Sequence, residues 1–179
     1  RRDFIEPHRR YASEGYFLSG GYFKLPMDIS RDITPDDIAS GRALDLKWLR
    51  SRGLKCSFKC SKLVKSKLFT MLMNRITPAR ASWNGCNSSV WRKDILKANG
   101  FDERMRYGGE DREFGERLVN SGMKSRQIRY SAILLHLDHN RPYKNEEAIA
   151  INRAIRRETK ATRRVRTQFG IDKEQYRDN

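Results

Sequence analysis

The sequence predicts an α/β protein with a helical insertion and a helical C-terminal extension. Before residue 35 and between residues 81 and 145, short segments rich in aromatic and β-branched residues alternate with segments of helical spacing. From about 35 to 78, and again from 146 to 179, apolar residues recur only at helical spacing. We therefore expect residues 1–145 to form an α/β part that contains the insertion, and residues 146–179 to form the extension.

The chain has 179 residues, enough for one domain, and its net charge of +16 is concentrated in two parts. Residues 41–80 contain 11 Lys and Arg against one Asp, and residues 141–179 contain 11 against 6 acidic residues. Such patches favour anionic partners, namely nucleotide phosphates, nucleic acid or an anionic membrane face. The well-spread aromatic residues exclude a disordered chain.

Cysteine spacing and hydropathy indicate the compartment. The three cysteines lack the spacing of a disulfide framework or a four-ligand zinc site. No apolar run reaches the roughly 18 residues that a membrane span requires. We expect a cytoplasmic protein with reduced thiols, which lies at most peripherally on the inner face of the plasma membrane.

The first elements are a helix over 3–15 and a strand over 16–25 that a glycine pair interrupts. Thr34-Pro35 is typical of a helix start, and 43–50 predicts a further short helix. Between residues 55 and 76, apolar residues recur every three or four positions with lysines between them, which predicts one amphipathic basic helix or a pair. Three interpretations stay open for it: a solvated face over a core-packed stripe, a helix on an anionic membrane, or a nucleic-acid contact.

The following segment contains the candidate chemistry. Residues 81–90 are mostly small and polar and predict a strand or strand-like loop. Helices are expected over 91–99 and 111–120, a strand over 127–137, and a basic helical tail from 145 onward. Gly108-Gly109-Glu110-Asp111 places two carboxylates at a helix start, where a cap and a general base are both possible. His136 and His139 follow the expected strand, as a surface pair or as metal ligands.

These residues resemble a known family. Asn99-Gly100-Phe101-Asp102-Glu103-Arg104, followed by Gly108-Gly109-Glu110-Asp111, looks like the acceptor-side motif of GT-A fold glycosyltransferases, of family 2 and the galactosyltransferase-type C-terminal region. The order of elements matches across residues 81–145. The resemblance implies the C-terminal half of a GT-A type, Rossmann-like domain.

The resemblance also implies roles for residues. Asp111 would be the catalytic base that takes the proton of the acceptor hydroxyl. Tyr107 stands where the family usually has Trp, and either ring gives a platform for a sugar. The implied acceptor-binding residues are Glu110, Tyr107, Gly108, Gly109, Trp83 and Asn87.

A metal and a nucleotide are implied as well. His139 and His136 would bind Mn²⁺ or Mg²⁺ beside the diphosphate of a nucleotide-sugar donor, UDP-linked by the resemblance, with Arg141 and Lys144 near the phosphates. Imidazole favours Mn²⁺ over Mg²⁺. The family's Asp-x-Asp motif and nucleotide-binding half should precede these residues, and no Asp-x-Asp occurs in the chain. We therefore expect one piece of a longer enzyme, incomplete as an isolated chain.

The resulting hypothesis is an inverting, metal-dependent glycosyltransferase of hexosyltransferase type, which acts on a glycan or lipid-linked acceptor in cell-surface polysaccharide synthesis. An alternative is a basic module that binds nucleic acid or an anionic membrane without catalysis. The aromatic residues do not interleave with the basic runs, so we do not expect nucleic acid as a partner. A relative of the family that has lost catalysis is the third hypothesis.

Overall fold

A computed structural model describes residues 3–78, 81–143 and 145–172. Contacts divide them into two compact units. The first unit contains the described residues within 1–11, 20–80 and 127–140, and the second those within 12–19, 81–126 and 141–179. Both units combine helices with a small sheet, so the predicted mixed α/β class is confirmed.

The first unit is built on a two-stranded parallel sheet. Strand β2 (Gly21–Lys24) pairs with β5 (Ile133–His136), from Gly21 opposite Ile133 to Lys24 opposite His136. Gly21 is required there, because a Cβ atom on it would lie 2.3 Å from the carbonyl oxygen of Arg129. The core of this unit packs around the sheet and consists of Phe23, Leu25, Ile29, Leu49, Leu54, Cys60, Leu63 and Ile133.

The helices of the first unit are short. They are α1 (Ile5–Tyr11), α2 (Met27–Asp32), α3 (Pro35–Ser40), α4 (Leu46–Ser51) and α5 (Lys67–Ile76), with 3₁₀ turns at Arg42–Leu44 and Phe58–Leu63. Helix α3 begins where the Thr34-Pro35 signal predicts a helix start, and Thr34 and Asp37 form a capping box there. Short helices and 3₁₀ turns alternate with loops over 35–78, whereas the role of this range as an insertion stays a prediction.

The second unit has a three-stranded sheet in the order β3 (Ser88–Ser89), β1 (Tyr16–Ser19), β4 (Lys124–Gln127). Its helices are α6 (Arg92–Lys97), α7 (Glu110–Asn120) and α8 (Glu146–Ala161). The core contains Phe17, Trp83, Ala98, Phe114, Leu118 and Met123. Helix α8 lies within this unit, whereas the functional boundary expected at residue 145 stays a prediction.

Three local predictions differ from the structure. The expected strand over 127–137 is wrong as one element, because backbone hydrogen bonds from residues 131 and 132 to the carbonyl of Ile128 form a turn before β5. The strand over 16–25 divides at Gly20 into β1 and β2, which join different sheets. Within 81–90 only Ser88–Ser89 is a strand. None of the helices in the described ranges combines the length and apolarity that crossing a bilayer requires.

Candidate functional site

Helix α7 begins after a loop that glycines shape. Asn99 and Gly100 adopt positive φ angles of 63° and 70° after α6, and Gly108 and Gly109 adopt 116° and 100° directly before α7. The left-handed region is open to glycine at little cost, so the Gly108-Gly109 pair lets the chain turn sharply into the helix. The two carboxylates therefore occupy the first turn of α7, as predicted.

Backbone N–H groups hold both carboxylates of this turn. Glu110 accepts a hydrogen bond at Oε2 from the Gly108 N–H, at 2.7 Å. Asp111 accepts at Oδ2 from the Gly85 N–H, at 3.1 Å, and at Oδ1 from the Arg112 N–H, at 2.7 Å. Both residues are half-buried, and neither forms an ion pair with the described residues. A carboxylate offers about four lone-pair positions, so Asp111 is oriented and still able to accept a proton.

The approach of the Gly85 loop to α7 depends on two glycines. A Cβ atom on Gly85 would lie 3.2 Å from the Cβ of Asp111, and one on Gly115 would lie 2.5 Å from the Cβ of Trp83. Because glycine has no Cβ atom at these two positions, the segment 81–89, which contains Gly85, packs directly on α7. Sequence inspection identified the loop but not the role of Gly115, which looks like an ordinary interior residue of a helix.

Trp83 and Asn87, predicted to contact the acceptor, are buried at 8% and 3% relative exposure. The Trp83 ring packs edge-on against Phe114, with centroids 4.7 Å apart, and its Nε1 atom is buried without a hydrogen-bond partner among the described residues. The structure thus places Trp83 in the core beneath the loop. The acceptor contacts predicted for these two residues stay predictions.

The pKa of the Cys86 thiol depends in part on the negative charge of Asp111. The thiol sulfur donates to Oδ1 of Asn84 at 3.3 Å. Partial burial of the sulfur raises the pKa of the Cys86 thiol above its usual range, and the negative charge of Asp111 raises it further. The thiol therefore stays protonated at neutral pH and lies in the electrostatic field of the proposed base.

Tyr107 lies just before the two glycines and is 41% exposed. Its ring meets that of Tyr143, 51% exposed, edge-on with centroids 4.8 Å apart. Two exposed aromatic rings in contact can stack on the apolar face of a sugar ring. Sequence inspection identified Tyr107 only, because Tyr143 lies 36 residues further along the chain.

Helix α8 braces the loop that precedes α7. The Asn152 side-chain amide donates to the carbonyls of Arg106 and Gly108, at 2.9 and 3.2 Å. Arg156 forms an ion pair with Glu116 of α7. A Cβ atom on Gly109 would lie 3.2 Å from the Cδ atom of Arg156. The sequence indicated only a basic helix here, yet its polar residues hold the glycine pair in place.

A buried ion pair joins α7 to the turn after α6. Arg117 donates from Nε to both carboxylate oxygens of Glu113, at 2.9 and 3.0 Å, and both side chains are fully buried. Its remaining nitrogens donate to the carbonyls of Ala98 and Gly100, and Thr159 of α8 donates to Glu113 at 2.9 Å. Because Glu113 and Arg117 are four residues apart on a helix, the sequence predicts an ion pair between them, but it does not predict that the pair is buried.

The two histidines predicted as metal ligands come together in the first unit. Their ring centroids lie 5.8 Å apart. His139 Nδ1 lies 2.8 Å from the carbonyl oxygen of Asn140, which can only accept, so this contact fits a ring that is protonated on Nδ1. Asp138, between them, pairs with Lys24 at 2.9 Å. The described residues contain no group of three or more His, Cys, Asp or Glu able to hold a metal.

Two residues, Arg141 and Lys144, are predicted to lie near the donor phosphates. Arg141 is half-buried in the second unit. Lys144 lies outside the described residues. Their assignment to the donor phosphates stays a prediction.

Comparison with known proteins points to the same segment. Residues 74–140 match the family described as the N-terminal domain of galactosyltransferase. The matched range is less than half of the chain, and it includes the Gly85 loop, the start of α7 and both histidines. It supports a glycosyltransferase-related domain and does not single out family 2. No curated protein and no solved structure matched the chain.

Proposed function

We propose that this chain is the acceptor-side part of an inverting, metal-dependent glycosyltransferase, in which Asp111 is the general base. The observation that carries the proposal is the half-buried carboxylate of Asp111, fixed at the start of α7 by the Gly85 N–H within the segment that matches a galactosyltransferase domain. A general base must be oriented and must retain an acceptor position for the incoming proton. Asp111 meets both conditions.

The proposed reaction is a single displacement. Asp111 takes the proton of an acceptor hydroxyl, the hydroxyl oxygen bonds to the anomeric carbon of the donor sugar, and the bond from that carbon to the nucleotide diphosphate breaks. The configuration at the anomeric carbon inverts. Because Asp111 is held by two backbone N–H groups, little reorientation of the base is needed during the proton transfer.

Glu110 and the tyrosine pair supply the acceptor contacts in this proposal. The Gly108 N–H occupies one lone pair of Glu110, and the remaining ones can accept hydrogen bonds from further sugar hydroxyls. Tyr107 and Tyr143 present aromatic surface for stacking. A glycan acceptor suits this combination, and a hexose donated by a UDP-linked donor in polysaccharide synthesis follows from the family resemblance.

The histidine pair fits a divalent ion as a partial ligand set. Two imidazoles would provide two nitrogen ligands, the Asn140 carbonyl lies at Nδ1 of His139, and diphosphate oxygens and water would complete the shell. When bound, the ion supplies positive charge that stabilises the leaving diphosphate. Nitrogen ligands favour Mn²⁺ over Mg²⁺. Arg141 and Lys144 are proposed to add positive charge at the phosphates.

A transfer assay on the full-length protein tests this function. Nucleotide sugars are offered together with glycan and lipid-linked acceptors, and the product is examined by proton NMR. The expected product carries the anomeric configuration opposite to that of the donor. A product with retained configuration, or the absence of transfer from every nucleotide sugar, would contradict the proposal.

The metal is tested separately by calorimetric titration of Mn²⁺ in the presence of a nucleoside diphosphate. His139→Ala is expected to weaken Mn²⁺ binding about tenfold or more, because one of two protein ligands is lost. The control is His8→Ala, which alters the remaining histidine of the chain, on α1. Equal Mn²⁺ affinity in both variants would remove the histidine pair from the proposal.

A further inference from the structure

Helix α5 turns an apolar stripe toward solvent. Leu68, Met71, Leu72 and Ile76 are exposed at 80%, 48%, 54% and 56%. At about 100° per residue they cover an arc of roughly 140° on the helix. Thr70 and Met73 are the buried residues of α5, on its other side. We call the four exposed residues the α5 stripe.

The apolar side chains of the stripe face solvent, whereas the apolar side chains of a helix packed on a core face that core. In a soluble monomer, large apolar side chains that form a contiguous exposed patch mark an interaction site. Phe58, in the 3₁₀ turn that precedes α5, is a further large apolar side chain, 74% exposed. The interpretation of this segment as a solvated polar face over a core-packed stripe is therefore wrong for α5.

The chain segment that contains the stripe carries charge of one sign. From residue 46 to residue 80 the sequence has no Asp or Glu and 10 Lys and Arg. Lys65 and Lys67 are exposed at the start of α5, and Arg75 is exposed within the arc of the stripe. Basic side chains beside an apolar helical face are the pattern of helices that lie in the interface of an anionic bilayer.

We propose that the α5 stripe and its basic surroundings dock on a membrane surface that contains anionic phospholipid. The helix lies in the plane of the interface, the four apolar side chains enter the boundary between headgroups and acyl chains, and the lysines and Arg75 contact lipid phosphates. A nucleic acid matches the charge but not the stripe, because aliphatic side chains neither stack on bases nor bond to phosphates. This docking surface goes beyond the proposed sugar transfer and does not depend on it.

Vesicle sedimentation of the full-length protein tests the proposal. Vesicles of phosphatidylcholine with phosphatidylserine are compared with vesicles of phosphatidylcholine alone, at low and high salt. We expect binding to the anionic vesicles only, weakened by salt. Leu68→Ser with Leu72→Ser should reduce this binding about tenfold or more, since each leucine loses its burial in the interface. Lys65→Glu with Lys67→Glu should reduce the affinity for anionic vesicles about tenfold or more, because two attractive charges become repulsive. A loss of about 1.4 kcal/mol in binding free energy corresponds to a tenfold lower affinity.

Two control variants match these changes. Ile38→Ser removes an apolar side chain that is 60% exposed on α3, outside the stripe. Arg153→Glu with Arg157→Glu makes the same change in net charge at two exposed positions of α8. Both controls should bind the vesicles as the unaltered protein does. Circular dichroism verifies that each variant is folded, which the exposure of the altered residues leads us to expect.

Four results would overturn the proposal. The first is no binding to anionic vesicles. The second is binding that survives Leu68→Ser with Leu72→Ser, since charge alone would then explain it. The third is vesicle binding that the α8 control loses equally. The fourth is a dimer that the leucine double variant dissociates while vesicle binding is absent, because the stripe would then cover a second copy of the chain.

Discussion

Removing the buried cation Arg117 is expected to destabilise the second unit strongly. In Arg117→Met the guanidinium and its hydrogen bonds to Glu113, Ala98 and Gly100 are lost. The Glu113 carboxylate is then left fully buried with Thr159 as its remaining described partner. Breaking a buried pair by removing one partner costs about 3–5 kcal/mol, because an uncompensated charge stays in the interior. Such a loss is a large part of the roughly 5–15 kcal/mol that stabilises a folded protein.

Urea denaturation followed by circular dichroism measures this loss. The double variant Glu113→Leu with Arg117→Met should recover at least half of it, since the double variant buries no charge. Lys93→Met, which breaks an exposed pair with Glu14, should leave the midpoint unchanged. A midpoint for Arg117→Met within experimental error of the unaltered protein, or a double variant less stable than the single one, would refute the reasoning.

Three further predictions concern the surroundings of α7. Gly115→Ala should lower the free energy of unfolding by about 1–3 kcal/mol, because the new methyl group meets Trp83, whereas alanine at Gly122, where a Cβ atom meets no neighbour, acts only through its φ of 90°. Asp111→Asn should lower the raised pKa of the Cys86 thiol, because it removes a negative charge, so this thiol should be alkylated about two- to threefold faster at mildly alkaline pH. Mass spectrometry measures the alkylation with Cys56 as internal reference, and an unchanged rate would contradict the electrostatic effect of Asp111 on Cys86. Burial of Asp102 opposes its ionisation, but hydrogen bonds from Arg104 and Thr167 outweigh burial and hold its pKa below the usual value. Its stabilising contribution is thus complete above about pH 4 and is lost as the pH falls through the lowered pKa, so acid titration of Asp102→Asn should lack this loss.

The sequence predicts the local features around α7 well, because they depend on neighbours in the chain. The glycine pair, the two carboxylates of the first turn and the capped start of α3 all follow from residue types at fixed spacing. The contact between the Gly85 N–H and Asp111 joins residues 26 positions apart, and the contact of Asn152 with Gly108 joins residues 44 apart. No periodicity encodes such contacts, so the bracing of the site by α8 emerges only from the fold.

The side of α5 that faces the core does not follow from its sequence. Across residues 55–76 apolar residues recur at helical spacing with basic residues between them, which predicts an amphipathic helix but not the side that faces the core. In the structure Thr70 and Met73 face inward, and Asn74 bonds to Tyr130 and Ser131 of the same unit. These specific hydrogen bonds, which hydropathy does not show, are consistent with a helix whose leucines face solvent.

The most direct test of the central claim is the turnover number of Asp111→Asn in the full-length enzyme. Asparagine has nearly the same shape, and its one side-chain oxygen can accept from one of the two N–H groups that hold Asp111, but it cannot take a proton. General base catalysis contributes about 10²- to 10⁴-fold, so kcat should fall by at least about a hundredfold while the affinity for the nucleotide sugar stays the same. Turnover within about threefold of the unaltered enzyme would contradict the assignment of Asp111 as the base.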